Sequence, residues 1–199
     1  MPRAKKDLSP ACRALTRRDW PHIETLFGER GACAGCWCMF WRVPGSRTQW
    51  QARLGERNKR AFRRLVEAGR VRGCLAFAGR DPIGWVSIGP KIEFPYFERS
   101  RSIPASADAR EWCVTCFYVP ARWRSKGVAS SLLAAAVELA GKSGARLIEG
   151  YPLVPKHAHA RAPAAFAWTG VPRLYEQCRF ERAANPVAKK VIYRRRLTA

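Results

Sequence analysis

The chain has 199 residues, 47% of them hydrophobic, with 37 Lys and Arg against 15 Asp and Glu and a formal net charge of +22. That length and apolar content suit a sizeable α/β unit with a buried core, and we expect a loose segment over residues 1–9 followed by a single domain over residues 10–199. No apolar run approaches the ~20 residues that cross a bilayer. The basic start Met1-Pro2-Arg3-Ala4-Lys5-Lys6 also lacks the apolar stretch of an export signal, so the cytoplasm is the default expectation.

Residues 11–15 read as a first strand, and Thr16 as the N-cap of a helix carrying Trp20, Ile23, Leu26 and Phe27. A glycine-rich loop over residues 28–35 leads into the dense segment Cys36-Trp37-Cys38-Met39-Phe40-Trp41-Arg42, which Pro44 and Gly45 break. Residues 48–68 read as one helix, with Ala61, Phe62, Leu65 and Val66 on one face and Gly69 at its end. Residues 72–78 and 82–88 are two strands joined by the turn signal Gly79-Arg80-Asp81-Pro82. Residues 91–110, with prolines at 95 and 104, read as a long loop over a binding cleft.

The most informative stretch follows. Trp112-Cys113-Val114-Thr115-Cys116-Phe117-Tyr118-Val119 is an apolar, β-prone run. After it come Arg124, Lys126 and Gly127, and then a helix from about Ser130 whose apolar face runs through Val128, Leu132, Leu133, Ala136, Val137 and Ala140. A strand, a loop of bare amides and a helix N-terminus form a seat for a pyrophosphate, because the first turn carries unpaired N–H donors and partial positive charge. Gly127 lets the backbone approach phosphate oxygens, and Arg124 and Lys126 add charge. Residues 145–150 form the next strand, and the short connection implies a right-handed crossover and a parallel pair. Residues 151–163 are irregular, residues 164–178 hold a helix interrupted near Gly170, and the end fits two antiparallel strands with Val191-Ile192-Tyr193 in the last. The order predicts a mixed α/β sheet, largely antiparallel with one parallel pair, and helices on both faces.

Eight cysteines in a chain of this size, without an export signal, do not suggest a disulfide framework. Cys33-x-x-Cys36-x-Cys38 and Cys113-x-x-Cys116 have spacings open to zinc. Cys113 and Cys116, three apart on a strand, should point to opposite faces, and the first set is embedded in aromatics, so buried structural thiols are expected and no metal.

Arg124-x-x-Gly127-x-Ala129 after an apolar strand resembles the acetyl-CoA signature of the GNAT superfamily of N-acetyltransferases, and Leu174-Tyr175-Glu176-Gln177-Cys178-Arg179-Phe180 resembles its late Tyr-Glu-x-x-Gly-Phe segment. The likeness spans residues 11–196, with Arg179 standing where the family has glycine. It implies a GNAT-like sheet whose parallel strands splay apart around acetyl-CoA as the acyl donor. It further implies that the backbone of Phe117, Tyr118 and Val119 runs along the pantetheine arm, and that Arg124, Ser125, Lys126, Gly127, Val128, Ala129 and Ser130 hold the pyrophosphate. Tyr175 is the candidate general acid, since a phenol with a pKa of about 10 is protonated at neutral pH and can donate to a departing thiolate.

Glu149, at the end of the strand after the signature helix, is the candidate base, with an ion pair as its competing role. Glu111, His157 and His159 are secondary candidates, whereas Phe166 and Trp168 are read as packing. Trp37, Trp41 and Arg42 are candidate acceptor-binding residues, the tryptophans as an apolar wall and Arg42 as a fork for a carboxylate or phosphate. The expected activity is acetyl transfer from acetyl-CoA to a primary amine of a small molecule by direct attack in a ternary complex. The alternatives are a non-catalytic acyl-CoA sensor and an RNA-directed (aminoacyl-tRNA) acetyltransferase. The +22 charge favours anionic ligands such as coenzyme A, but no nucleic-acid motif stands behind it. Residue pattern alone leaves a homodimer open.

Overall fold

β-branched and aromatic residues set the strands, and an alanine-rich face sets the longest helix. In the computed structural model, residues 10–154, 167–184 and 190–197 are described. Over them run β1 (Ala11–Ala14), α1 (Trp20–Phe27), α2 (Arg47–Gln51), α3 (Glu56–Glu67), β2 (Arg72–Ala78), β3 (Asp81–Pro90), α4 (Tyr96–Arg99), β4 (Glu111–Tyr118), α5 (Val128–Lys142), β5 (Leu147–Gly150), α6 (Pro172–Gln177), β6 (Glu181–Arg182) and β7 (Tyr193–Arg196). The sheet has the order β1-β2-β3-β4-β5-β7-β6. β4 and β5 are parallel and every other pairing is antiparallel. This is the mixed sheet predicted. No helix among the described residues is long and apolar enough to cross a membrane.

One face of the sheet is covered by α5. Its Val128, Leu132, Leu133, Ala136 and Ala140 pack on Ile83, Val86, Trp112, Val114 and Phe117. Small side chains let the helix lie close: a Cβ on Gly84 would meet Val128 and Leu132. The other face carries two clusters. In one, Trp20, Phe27 and Trp37 from α1 and the loop after it join Phe62 and Val66 of α3 over Leu75 and Trp85. In the other, Trp41, Phe94, Phe97, Ile103 and Tyr151 cover Cys113 and Ile192. Burying each such side chain contributes roughly 1.5–3 kcal/mol.

Four expectations change. The helix predicted over 48–68 is two, because Gly55 at φ 80° interrupts it and donates its N–H to Gly35 O at 2.9 Å. A Cβ on Gly35 would overlap the Gly55 backbone, so the break is a close approach of two chains. Thr16 is not the N-cap of α1. Its N–H and hydroxyl both lie 2.7 Å from Asp19 Oδ2, and Arg13 grips the same carboxylate. Burial alone would raise the Asp19 pKa, but these donors hold it well below the usual range. Residues 91–110 are not one long loop: the segment carries α4, and Phe94, Phe97 and Ile103 are buried in the third cluster. The last strand begins at Tyr193 rather than 191.

A fifth change concerns β4. Ser87 pairs with Cys116 and Ile88 with Val114, so Thr115 is an extra residue on β4. A bulge of this kind reverses the alternation beyond it. Trp112 and Val114 face α5, and so does Phe117. Cys113 and Cys116 therefore both lie on the opposite face, in different clusters. The premise that three-residue spacing separates them fails at the bulge. Among the described residues no group of cysteine, histidine or carboxylate side chains is arranged to hold a metal.

Candidate functional site

The loop between β4 and α5 is shaped by sequence. Pro120 starts a 3-10 turn at Ala121–Trp123, Ser125 takes φ 58°, and Gly127, at φ 80°, is the N-cap of α5. Gly127 has no side chain to cap the helix, so the first-turn donors stay unfilled. Among the described residues no acceptor takes the N–H groups of residues 125–130, whereas the next amide, that of Ser131, donates to Gly127 O at 3.0 Å. Residues 124–127 are exposed. Arg124 Nε donates to Val119 O at 2.9 Å, which fixes the loop and engages one carbonyl expected to face the pantetheine. Lys126 Nζ lies 5.0 Å over the Trp123 ring.

β5 supplies partners only for β4 residues 111–114. Residues 115–118 continue alone on that side, and the Thr115 bulge marks where the parallel pair ends. Tyr175 fills the gap. Its ring packs beside Gly150, stacks 5.9 Å from Tyr193 and meets Phe180 and Phe117 edge-on. Its hydroxyl donates to Thr169 O at 2.8 Å. Burial pushes this phenol far above its ordinary pKa, so it stays a proton donor. Arg179, where the resembled pattern has glycine, takes φ 60°. Phe180 N–H still reaches Tyr175 O at 3.0 Å, so the helix end is built as glycine would build it, with a left-handed arginine.

Glu149 is 1% exposed. Lys91 Nζ and Tyr151 OH donate to its Oε2 at 2.7 and 2.8 Å, and Arg194 Nε to its Oε1 at 2.7 Å. Desolvation raises its pKa, but the Lys91 charge and these three hydrogen bonds outweigh it and hold the carboxyl below its usual value. The ion-pair role anticipated for Glu149 is therefore the one its geometry supports. Glu111 pairs with Arg146 at 2.7 Å, at the start of β4. Seven strand rises, roughly 23 Å, separate it from Tyr118. His157, His159 and Phe166 lie outside the described residues.

The predicted acceptor wall is divided between two cores. Trp37, 2% exposed, stacks on Trp20 at 5.7 Å, and Trp41, 1% exposed, stacks on Tyr151 at 5.7 Å. Trp168 packs edge-on against Phe40, the packing role expected of it. Arg42 runs under the sheet centre. Its Nη2 donates to Ser87 Oγ at 3.3 Å, its guanidinium lies 4.6 Å over the Phe94 ring, and its Nε reaches no acceptor. Burial lowers its pKa. Thr115 Oγ1 lies 3.0 Å from the same Ser87 hydroxyl, so Arg42 ends beside the bulge.

Sequence reasoning missed a sulfur site there. Cys38 Sγ accepts from Trp85 Nε1 at 3.3 Å, and the Cys116 thiol donates to Phe117 O at 3.7 Å. The neighbouring Cys116, with Trp85, Arg42 and Ser87, lowers the Cys38 pKa against burial, and Cys38 together with burial raises that of Cys116. Its one sequence signal was the run of cysteines beside Arg42. Two surface hollows, of about 350 Å³ beside Trp37 and Lys59 and about 420 Å³ beside His22 and Arg80, border neither the 124–130 loop nor Tyr175.

The sequence profile of the Acetyltransferase (GNAT) family matches residues 20–162. Among solved structures, an N-acetyltransferase from Staphylococcus aureus Mu50 superimposes with a TM-score of 0.54 at 14% identity, over 96% of this chain and 100% of that one. A phosphinothricin acetyltransferase from Sinorhizobium meliloti, solved with AcCoA, gives 0.53 at 15% identity, over 96% and 89%. PaiA N-acetyltransferase from Thermoplasma acidophilum, solved with coenzyme A, gives 0.52 at 15% identity, over 95% and 99%. At these identities the likeness is one of fold. No curated protein matches the chain.

Proposed function

Because this chain belongs to the acetyltransferase (GNAT) family, we propose that it is an N-acetyltransferase that moves an acetyl group from acetyl-CoA to a primary amine of a small molecule by direct attack. The observation that carries this reading is the run of amides at residues 125–130, without acceptors, at the N-terminus of a 15-residue helix. Such amides and the helix dipole suit a diphosphate. Acetyl-CoA supplies an activated thioester when bound.

In this reading residues 124–130 hold the pyrophosphate, with Gly127 keeping the approach open and Arg124 and Lys126 adding charge. The backbone of Phe117, Tyr118 and Val119, beyond the reach of β5, lies along the pantetheine arm. Tyr175, buried and protonated, gives its proton to the leaving sulfur after exchanging its bond to Thr169 O. Glu149 is not the proton acceptor: engaged by three donors, it fixes Lys91, Tyr151 and Arg194 around the end of β5, and the amine gives its proton to water. Trp37 and Trp41, buried in two separate cores, support the acceptor side only from within, and Arg42 is the acceptor-binding group of the three. The sensor alternative draws on Arg179 and on the unassigned base, and the helix end at Arg179 is intact. Release of free coenzyme A thiol across a panel of small primary amines tests the proposal. Amine-dependent release supports it, and release that no amine accelerates contradicts it.

A further inference from the structure

Arg42 is a charged side chain set among apolar ones. Its chain neighbours Trp41 and Val43 are buried in the two different clusters on that face of the sheet, so Arg42 enters at the seam between them. The residue is half-buried. Inside the seam its guanidinium lies 4.6 Å over the Phe94 ring, and its Nη2 reaches Ser87 Oγ at 3.3 Å. The other donors are open. Nε is buried without an acceptor, and Nη1 makes no hydrogen bond to a described residue. Arg42 also has no ion-pair partner among the described residues: Glu93 is engaged by Arg72, and Glu149 by Lys91 and Arg194.

The polar lining beside it is small and neutral. Thr115 Oγ1 donates to Ser87 O at 3.2 Å and lies 3.0 Å from Ser87 Oγ, and both side chains are buried. These hydroxyls supply no negative charge. A desolvated guanidinium in such a lining is stabilised best by an anion. Nε and the adjacent terminal N–H form one edge of the planar fork, the edge that grips a carboxylate through both oxygens. A dianionic phosphate would bring more charge than one guanidinium and two hydroxyls balance. A simple alkylamine, protonated in water, would bring a second cation to an uncompensated first. The position is also specific. Arg42 ends beside the Thr115 bulge, where β5 stops pairing with β4. Phe117, where the proposed pantetheine path begins, is two strand rises further on, roughly 7 Å. An anion seated on Arg42 is then within a small molecule's length of the acyl donor.

We propose that Arg42 seats the carboxylate of the acceptor, and that the acceptor is an amino acid, with one carboxylate and one primary amine on a small skeleton. This rests on the N-acetyltransferase reading above and narrows its substrate class. The carboxylate takes the open edge of the Arg42 fork, Ser87 and Thr115 hold the opposite side of the guanidinium, and the amine points toward the unpaired end of β4. Alkylamines and polyamines, which have no anion to offer, are poor acceptors.

The test sets acids against their amides. The full-length protein with acetyl-CoA is offered α-, β- and γ-amino acids, each beside its primary amide, which keeps the skeleton and the amine and removes the negative charge. At least one acid is expected to show a kcat/KM at least tenfold above that of its amide, with the difference in KM. The amide has the less basic amine, so intrinsic reactivity works against this result. Arg42→Met is expected to remove the preference by raising KM for the acid at least tenfold. Arg42→Lys, which keeps the charge without the fork, is expected to restore part of it. Where these variants do not fold, the acid–amide pairs on the unaltered protein decide. Amides acetylated as well as every acid, or a preference that survives in folded Arg42→Met, would overturn the proposal and leave acetyl transfer standing. If no amine is acetylated, the N-acetyltransferase reading fails instead, and thermal melts in the presence of coenzyme A decide on the seat. A midpoint raised by an acid and not by its amide supports it, and equal midpoints overturn it.

Discussion

The ring of Tyr175 occupies the space that a side chain on residue 150 would need, so Gly150 and Tyr175 fit only as a pair. Gly150 ends the strand whose early finish opens the sheet, and Tyr175 fills the opening. Gly150→Ala is therefore expected to cost about 1–3 kcal/mol, the usual penalty of overpacking. Urea unfolding checks it, and an unchanged midpoint contradicts the pairing.

Tyr175→Phe keeps the ring and removes the hydroxyl that donates to Thr169 O. Stability is expected to fall by about 1 kcal/mol, the net worth of one hydrogen bond. Turnover is expected to fall about a hundredfold or more, the scale of general acid catalysis, with KM for acetyl-CoA little changed. Steady-state kinetics separates the two. A turnover equal to that of the unaltered protein removes Tyr175 from proton transfer.

Glu149→Gln leaves Lys91 buried with its charge uncompensated, and a loss of about 3–5 kcal/mol is expected at neutral pH. The folded carboxyl titrates below its unfolded value of 4.5. Its contribution is thus complete above the unfolded value and is lost as pH falls through the folded one. The gap between the unaltered protein and the variant should shrink as pH is lowered below 4.5. Urea midpoints across that window give the answer, and a gap constant with pH would mean the carboxylate is not held by these charges.

How much was legible in the residues follows from the range of the contacts. The strand–loop–helix around Gly127 is local, and its glycine, basic residues and apolar helix face sit within some twenty positions, so its place in the fold could be read. Glu149 could not be resolved, because its donors Lys91 and Arg194 lie 58 and 45 positions away. The split of the helix over 48–68 depends on Gly35 meeting Gly55. The side of the sheet on which Cys116 lies depends on one extra residue in β4, which no periodicity shows. Trp37 and Trp41 had the composition of a binding wall, and only packing reveals them as parts of two cores.

Arg179 holds φ 60° without the freedom of glycine. Arg179→Gly is expected to raise stability by about 1 kcal/mol by relieving that conformation. A thermal melt tests it, and a lower midpoint would show that the arginine side chain contributes more than its backbone costs.

The central claim concerns the amides of residues 125–130, and titration calorimetry with acetyl-CoA tests it most directly. The account predicts saturable binding by the unaltered protein. It also predicts at least a tenfold weakening, about 1.4 kcal/mol, in Gly127→Glu, whose carboxylate would stand at the mouth of the seat, with circular dichroism confirming that the variant is folded. No binding by the unaltered protein, or equal affinity in the folded variant, would contradict it.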